Sequence, residues 1–274
     1  AKANMNNVAV PDDGNRCAML NEIDGANVSD AVSALFNEGM VKDSVQKGYM
    51  GPLSGFEVYS SQLVPSHTVG DHGGTPLSSG GSDQTGSSIL TDGWDTSVTG
   101  LLKQGDLITF AGVYEINPVT YASTGRLQSF VVTADVNSDS SGLATVPISP
   151  SINDGTLTTT DTESNSVSLA AYQNVSDPIA DGAAIVVFGD AEGVYRQNFL
   201  WHKNAIALAM VDLYLPESAT IAKRVYDEDS GLSLSLTKGF DIANHKETTR
   251  LDALWGVKVM NPELLFRMIT EKIA

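Results

Sequence analysis

The sequence is poor in cysteine, in long apolar runs and, through its middle, in basic residues. One cysteine, Cys17, in 274 residues excludes an internal disulfide framework, so the fold must be held by packing. No stretch approaches the roughly 18 consecutive apolar residues that a membrane-crossing helix needs. The opening AKANMNNVAVPDDG has neither the apolar core nor the flanks of a signal peptide. The phosphate-cradling GxxxxGK, the dinucleotide GxGxxG and the nucleophile-elbow GxSxG are all absent, which leaves nucleotide and serine-hydrolase chemistry without a foothold.

The scarcity of positive charge is local. Residues 48 to 195 hold only Lys103 and Arg126 against sixteen acidic residues, which is −14 of the chain's −17. The flanks differ: residues 1 to 47 carry four basic and seven acidic side chains, and residues 196 to 274 balance ten against ten. An acidic segment thus interrupts a mixed-charge body. Its field repels phosphate and argues against nucleic acid as a ligand of the middle segment.

What is present suffices for a core, since 42% of residues are hydrophobic. Pro11-Asp12-Asp13-Gly14 is a turn, and the apolar run Asn15 to Asn21 after it predicts a buried strand containing Cys17. Apolar residues at 28, 31, 32 and 35 predict a helix with Ser29 as N-cap, ending near Gly39. Gly55 to Tyr59 alternates as a strand. Residues 66 to 100 hold eight Gly and seven Ser with no Lys or Arg, the composition of a flexible excursion. Strands are then expected in Gly105 to Tyr114, Leu127 to Val136, Leu143 to Ile148 and Ala183 to Phe188, spaced as in a small barrel or sandwich. Beyond Phe199, His202 to Leu213 is rich in helix formers, and Gly231 to Leu236 alternates as a strand with one buried face. Arg250 to Val259 places Leu251, Ala253, Trp255, Val257 and Val259 on one side. Asn261-Pro262 predicts the start of a final helix with Leu264, Leu265, Met268 and Ile269 as its stripe. No internal repeat is present.

Several groupings suggest chemistry. His67 and His72 bracket Asp71 in HTVGDH, a zinc-like donor set in a Gly/Ser-rich segment that reads better as a solvated loop. Asp135 to Asp139 begins like a calcium loop, but Ser140 stands at the glycine position and Val146 at the glutamate position, so an acidic hairpin turn is the better reading. Cys17 lies in the apolar run after Arg16 and reads as a buried structural cysteine. The sequons at Asn27 and Asn174 matter only in a secretory compartment. Trp255 reads as core, and Trp94, in the Gly/Ser stretch, as an exposed contact anchor. No catalytic, cofactor-binding or metal-ligating residue is assigned.

Three strings carry a resemblance to a family: GDLITFAGVYEINPVT at 105 to 120, NFLWHKNAIALAMVDLYLP at 198 to 216 and RLDALWGVKVMNPELLFRMI at 250 to 269. In this order, with GFEVYSSQLVP before them, they resemble the major coat proteins of tailed phages, in the branch similar to the phage P22 coat protein. The resemblance implies an α+β, tailed-phage capsid-type (HK97-like) shell fold with an inserted antiparallel β-barrel domain. It implies an α/β body in residues 1–65 and 196–274, the flexible excursion at 66–100 and the acidic barrel at 101–195. The family's N-terminal arm, extended hairpin loop and spine helix have no counterpart here, so an N-terminally truncated form is expected.

The implied function is structural: a coat subunit, not an enzyme, that self-assembles as hexamers and pentamers into an icosahedral shell enclosing phage DNA. Partners would be further copies, a scaffolding protein, a portal and packaged DNA bound without sequence specificity, with no membrane and no cofactor. Its place would be the virion capsid, assembled in the bacterial host cytoplasm. The alternative is a β-rich decoration, tail or adhesin module recognising carbohydrate, which suits the Thr/Ser/Asn-rich tract but not the α/β flanks.

Overall fold

The computed structural model describes residues 2–33, 49–160, 166–228 and 231–272. In chain order they form α1 (Lys2–Asn7), β1 (Arg16–Leu20), α2 (Glu22–Ser33), β2 (Tyr49–Leu53), β3 (Phe56–Ser60), β4 (Ser66–Thr68), β5 (Gly74–Ser78) and β6 (Gly86–Trp94). Then come β7 (Leu107–Ile116), β8 (Ser123–Val132), β9 (Ala144–Ile152), β10 (Thr158–Thr160), β11 (Ser166–Ser168), β12 (Ile185–Val187) and β13 (Val194–His202). The last are β14 (Ile206–Val211), β15 (Ile221–Asp227), β16 (Leu232–Asp241), β17 (Lys246–Asp252), β18 (Leu254–Val259) and β19 (Leu265–Lys272). The described chain is therefore mostly β-sheet. It divides into two compact units, Ala1–His202 with Leu265–Ala274, and Lys203–Leu264.

The first sheet of the larger unit has the order β19-β13-β1-β3-β2, with β4 also on β13. Only β1 and β3 run parallel, Ala18 facing Val58. The turn before β1 is held by Arg16, which is fully buried. Its Nε donates to Pro11 O at 2.8 Å, Nη1 to Asn6 Oδ1 at 2.7 Å and Nη2 to Val10 O at 2.6 Å. A buried guanidinium is tolerated because its donors are used in this way. Helix α2 begins at Glu22, earlier than expected, because Asn21 Oδ1 caps it by accepting Ile23 N at 3.1 Å. Ser29 lies inside that helix, and its expected end near Gly39 lies outside the described residues. Asp24, buried on α2, takes Arg196 Nη1 at 3.0 Å, Asn198 Nδ2 at 2.8 Å and Thr270 Oγ1 at 2.7 Å. One carboxylate thereby ties α2 to β13 and β19.

The second sheet, β12-β7-β8-β9-β6-β5, is antiparallel throughout. It curls until its edge strands meet at the bridge Leu77–Ala184. Residues of β6, β7, β8, β9 and β12 enter one core, where the rings of Phe110 and Phe130 lie 5.6 Å apart among Ile89, Leu101, Leu102 and Val146. In β7 the buried positions run 108, 110, then 113 and 116. The shift occurs at Gly112, whose φ of +84° permits the bulge that re-phases the strand.

Four expectations require correction. The segment 66–100 holds β4, β5 and β6: β4 pairs with β13, β5 with β6 and β6 with β9, and Ile89 and Trp94 enter the core. Trp94 is core, 4% exposed, with Nε1 donating to Thr91 Oγ1 at 2.8 Å. His202 to Leu213 is not a helix: a single 3-10 turn, Lys203–Ala205, leads into β14, which pairs with β18. The final helix is likewise only a 3-10 turn, Pro262–Leu264, after which β19 pairs with β13. In both cases a strand partner outweighed local propensity, which spans only about 1 kcal/mol per residue.

Candidate functional site

The chain enters the second sheet after β4 and returns before β13, so two connecting segments, 69–73 and 188–193, make the neck between the sheets of the larger unit. Val69 N donates to Gly193 O at 2.9 Å, and Glu192 N to Gly70 O at 3.2 Å. Gly70 must be glycine for space, since a Cβ there would lie 2.4 Å from Leu101 O. At the neck sits Asp106, its side chain sealed from solvent. Its Oδ1 is 2.7 Å from His67 Nε2, and its Oδ2 accepts Lys103 N at 2.7 Å and Gly70 N at 3.1 Å. This buried carboxylate had no sequence signal beyond Gly105-Asp106 opening a strand.

The suspected histidine pair divides at this neck. His67 serves Asp106, whereas His72 Nε2 lies 3.1 Å from Gly189 O. The calcium-like run turns its oxygens to backbone amides: Asp135 Oδ1 accepts Gln104 N, Asn137 Oδ1 accepts Gly100 N, and Asp139 Oδ1 accepts both Ser141 N and Leu143 N. Cys17 is buried in β1 with Sγ 4.0 Å from Glu57 Oε2.

Charge within the larger unit is unevenly buffered. Asp13 is held well below the usual carboxylate range by the Asn15 side chain and by His202, whose buried Nε2 is 2.9 Å away. Burial works to raise Asp24, but Asn198, Thr270 and Arg196 outweigh it and hold it low. Glu115 moves the other way: burial raises it despite Arg126 at 3.9 Å and Thr124. Burial lowers the guanidinium of Arg267, with Asp106 opposing.

The unit Lys203–Leu264 presents a different surface. Its β14–β18 ribbon sets Ile206 opposite Val259, Leu208 opposite Val257 and Met210 opposite Trp255. In the sheet β15-β16-β17, Val225 faces Leu234 and Leu236 faces Leu251. These rows are open, with Trp255 63% and Leu251 69% exposed, which corrects the expectation that Trp255 is core. The Gly231 to Leu236 strand does have one buried face, but Ser233 and Ser235 form it while Leu232 and Leu234 are exposed. The reason is polar: Ser233 Oγ donates to Asp212 Oδ1 at 2.6 Å and Ser235 Oγ to Asp252 O at 3.2 Å. Around the rows run the pairs Lys238–Glu247 at 2.8 Å, Arg224–Asp212 at 3.1 Å and Arg250–Asp252 at 2.7 Å. Such a surface offers apolar rows with a charged rim, the make-up of an association face.

Residues 87–268 match the family model described as P22 coat protein, gene protein 5. Among solved structures, the CUS-3 coat protein I-domain is similar at 23% identity, the match covering 47% of this chain and 98% of that one with a TM-score of 0.24. No curated protein matches the chain.

Proposed function

The chain belongs to the P22 coat protein family of phage coat proteins, and from that premise we propose that it builds an icosahedral shell around phage DNA by self-association. Its role is structural, in the phage capsid, as the family's is. The observation that carries the finer reading is the family match over 87–268, which spans both the acidic sheet and the open apolar rows.

On this reading, residues 1–65 and 196–274 form the shell-building body of HK97-like type. Residues 101–195 are the inserted β-barrel, extended by the strands of 66–100 that share its sheet. Closed shells repeat many modest interfaces, so a subunit needs extended complementary faces more than one deep pocket. The rows around Leu208, Leu234, Leu251 and Trp255 are suited to burial between copies arranged as hexamers and pentamers. The segment 48–195, carrying most of the chain's net negative charge, faces away from packaged DNA or toward basic residues of a neighbour. A scaffolding protein and a portal complete the assembly, which takes place in the bacterial host cytoplasm.

Electron microscopy combined with light-scattering mass, on the gene product as the phage makes it, tests the reading. Closed particles of megadalton mass are expected. A monodisperse monomer or small oligomer, with scaffolding protein supplied, would overturn it.

A further inference from the structure

The buried side-chain polar atoms without a hydrogen-bond partner, among the described residues, are Gln197 Oε1, Arg267 Nε and Arg267 Nη2. They belong to one place. Gln197 faces Ile269 and Phe199 faces Arg267 across β13 and β19, and His67 faces Tyr195 across β4 and β13. With a period of two, His67, Gln197 and Arg267 share one face of the first sheet. Gly105 lies against two of them: a Cβ there would come 3.2 Å from His67 Cε1 and 3.8 Å from Arg267 Nη1. The next residue is Asp106.

The orphan donors are a matched pair. Nε and Nη2 form the edge of a guanidinium that a carboxylate takes through two parallel bonds. Both atoms are sealed from solvent, so an incoming anion does not reach them and the acceptor must come from inside. Asp106 is the carboxylate whose charge bears on Arg267, yet its hydrogen bonds go to His67, Gly70 N and Lys103 N. One buried carboxylate thus bonds His67 and offsets the charge of Arg267 without a hydrogen bond to it.

We propose that Asp106 is a shared counter-ion that exchanges between His67 and Arg267, making the neck a two-state joint governed by the charge on His67. In the structure the carboxylate rests on the imidazole, Oδ1 2.7 Å from His67 Nε2, and in the proposal this is the arrangement that a protonated His67 holds. With His67 neutral, only an uncharged donor remains on that side, and the charge-assisted fork of Arg267 is the stronger partner. Of the other charged and titratable groups near the neck, Lys103 Nζ lies 3.4 Å from Val69 O, His72 Nε2 3.1 Å from Gly189 O, Asp135 accepts Gln104 N, Asp190 pairs with Lys272 at 3.1 Å, and Asp71 and Glu192 are exposed. In the exchange, Asp106 leaves Gly70 N. Lys103 N sits on the same turn, closed by Asp106 N donating to Lys103 O at 3.0 Å, and moves with it.

Amide hydrogen exchange on the full chain reads this directly, as protection factors corrected for intrinsic rates at about pH 5 and about pH 8, the span over which an imidazole changes charge. Protection at Gly70 is expected to fall about tenfold toward the higher pH while Lys103 changes less than about twofold. Arg267→Gln removes the fork and should hold Gly70 constant. Arg267→Lys keeps the charge without the fork, should flatten the response as well, and serves if the first variant does not fold. Equal protection of Gly70 at both pH values in the parent chain overturns the proposal. So does an undiminished fall in either variant, because His67 would then act without Arg267. The readout is local to the neck and is unaffected by whether shells form.

Discussion

The acidic second sheet and the unit Lys203–Leu264 both carry apolar residues at every second position, yet they bury opposite sides of that pattern. In the sheet from β5 to β12 the alternating residues Ile89, Phe110, Phe130 and Val146 are sealed in one core. In the smaller unit Leu232 and Leu234 of β16 are exposed and its serines are inside. The difference lies in closure. Six strands that curl until Leu77 meets Ala184 turn one face of the sheet onto itself. Sheets of two and three strands are too narrow to do so, and an isolated ribbon this small gains little by folding alone. Alternation marks a face; it does not say what will cover it.

The contrast breaks most visibly under core truncation. Phe130→Ala should destabilise the protein by about 3–5 kcal/mol through lost burial and a residual cavity, whereas Leu234→Ala, already exposed, should stay within about 0.5 kcal/mol. Chemical denaturation of both variants checks the pair, and similar losses would mean that the leucine face is covered in solution. Asp106→Asn comes next, at about 2–3 kcal/mol, because a buried charged acceptor of three hydrogen bonds loses its charge and one matched partner. Asp24→Asn should cost less, about 1–2 kcal/mol, by weakening the bonds from Arg196, Asn198 and Thr270.

The pH profile sharpens the same comparison. Asp13 and Asp24 have folded-state values below the ordinary 3.8. Their stabilisation is therefore complete above that value and lost as pH falls through the folded ones. Glu115, raised above 4.5, acts in the opposite sense: its ionisation in the folded state opposes folding as pH rises. Thermal melts should show stability falling below about pH 4, less steeply in Asp24→Asn. The smallest effect on folding, and the clearest on assembly, belongs to Trp255, 63% exposed. Trp255→Ser should leave the melting temperature nearly unchanged and weaken association, read by light scattering. Trp94→Ala should do the reverse, lowering stability with association spared among the molecules that remain folded.

Much of the strand content could be read directly. The turn at 11 to 14 and the buried run from Asn15 placed β1, and the alternation in Gly105 to Tyr114 placed β7, because those signals are local. The two helices expected at 202–213 and 262–269 failed for a shared reason. Ile206, Val211 and Phe266 tolerate either geometry, and the partner strands β18 and β13 lie about 50 and 65 residues away in sequence. Trp94 was misjudged because its neighbours are Gly93 and Asp95, which say nothing of the core the strand enters. Asp106 could not be singled out from other acidic residues, since its importance comes from His67 and Gly70 across the neck.

By itself the sequence determined the absence of a disulfide framework, the concentration of negative charge between 48 and 195, the alternating segments and, through three ordered strings, the coat protein family. Those are properties of composition and of neighbours along the chain. The tertiary structure alone decided which side of each strand is buried, that the Gly/Ser-rich stretch joins a sheet, and that His67, Asp106 and Arg267 converge. Burial and ion pairing depend on what lies opposite in space, and a β-fold brings those partners together from distant parts of the chain.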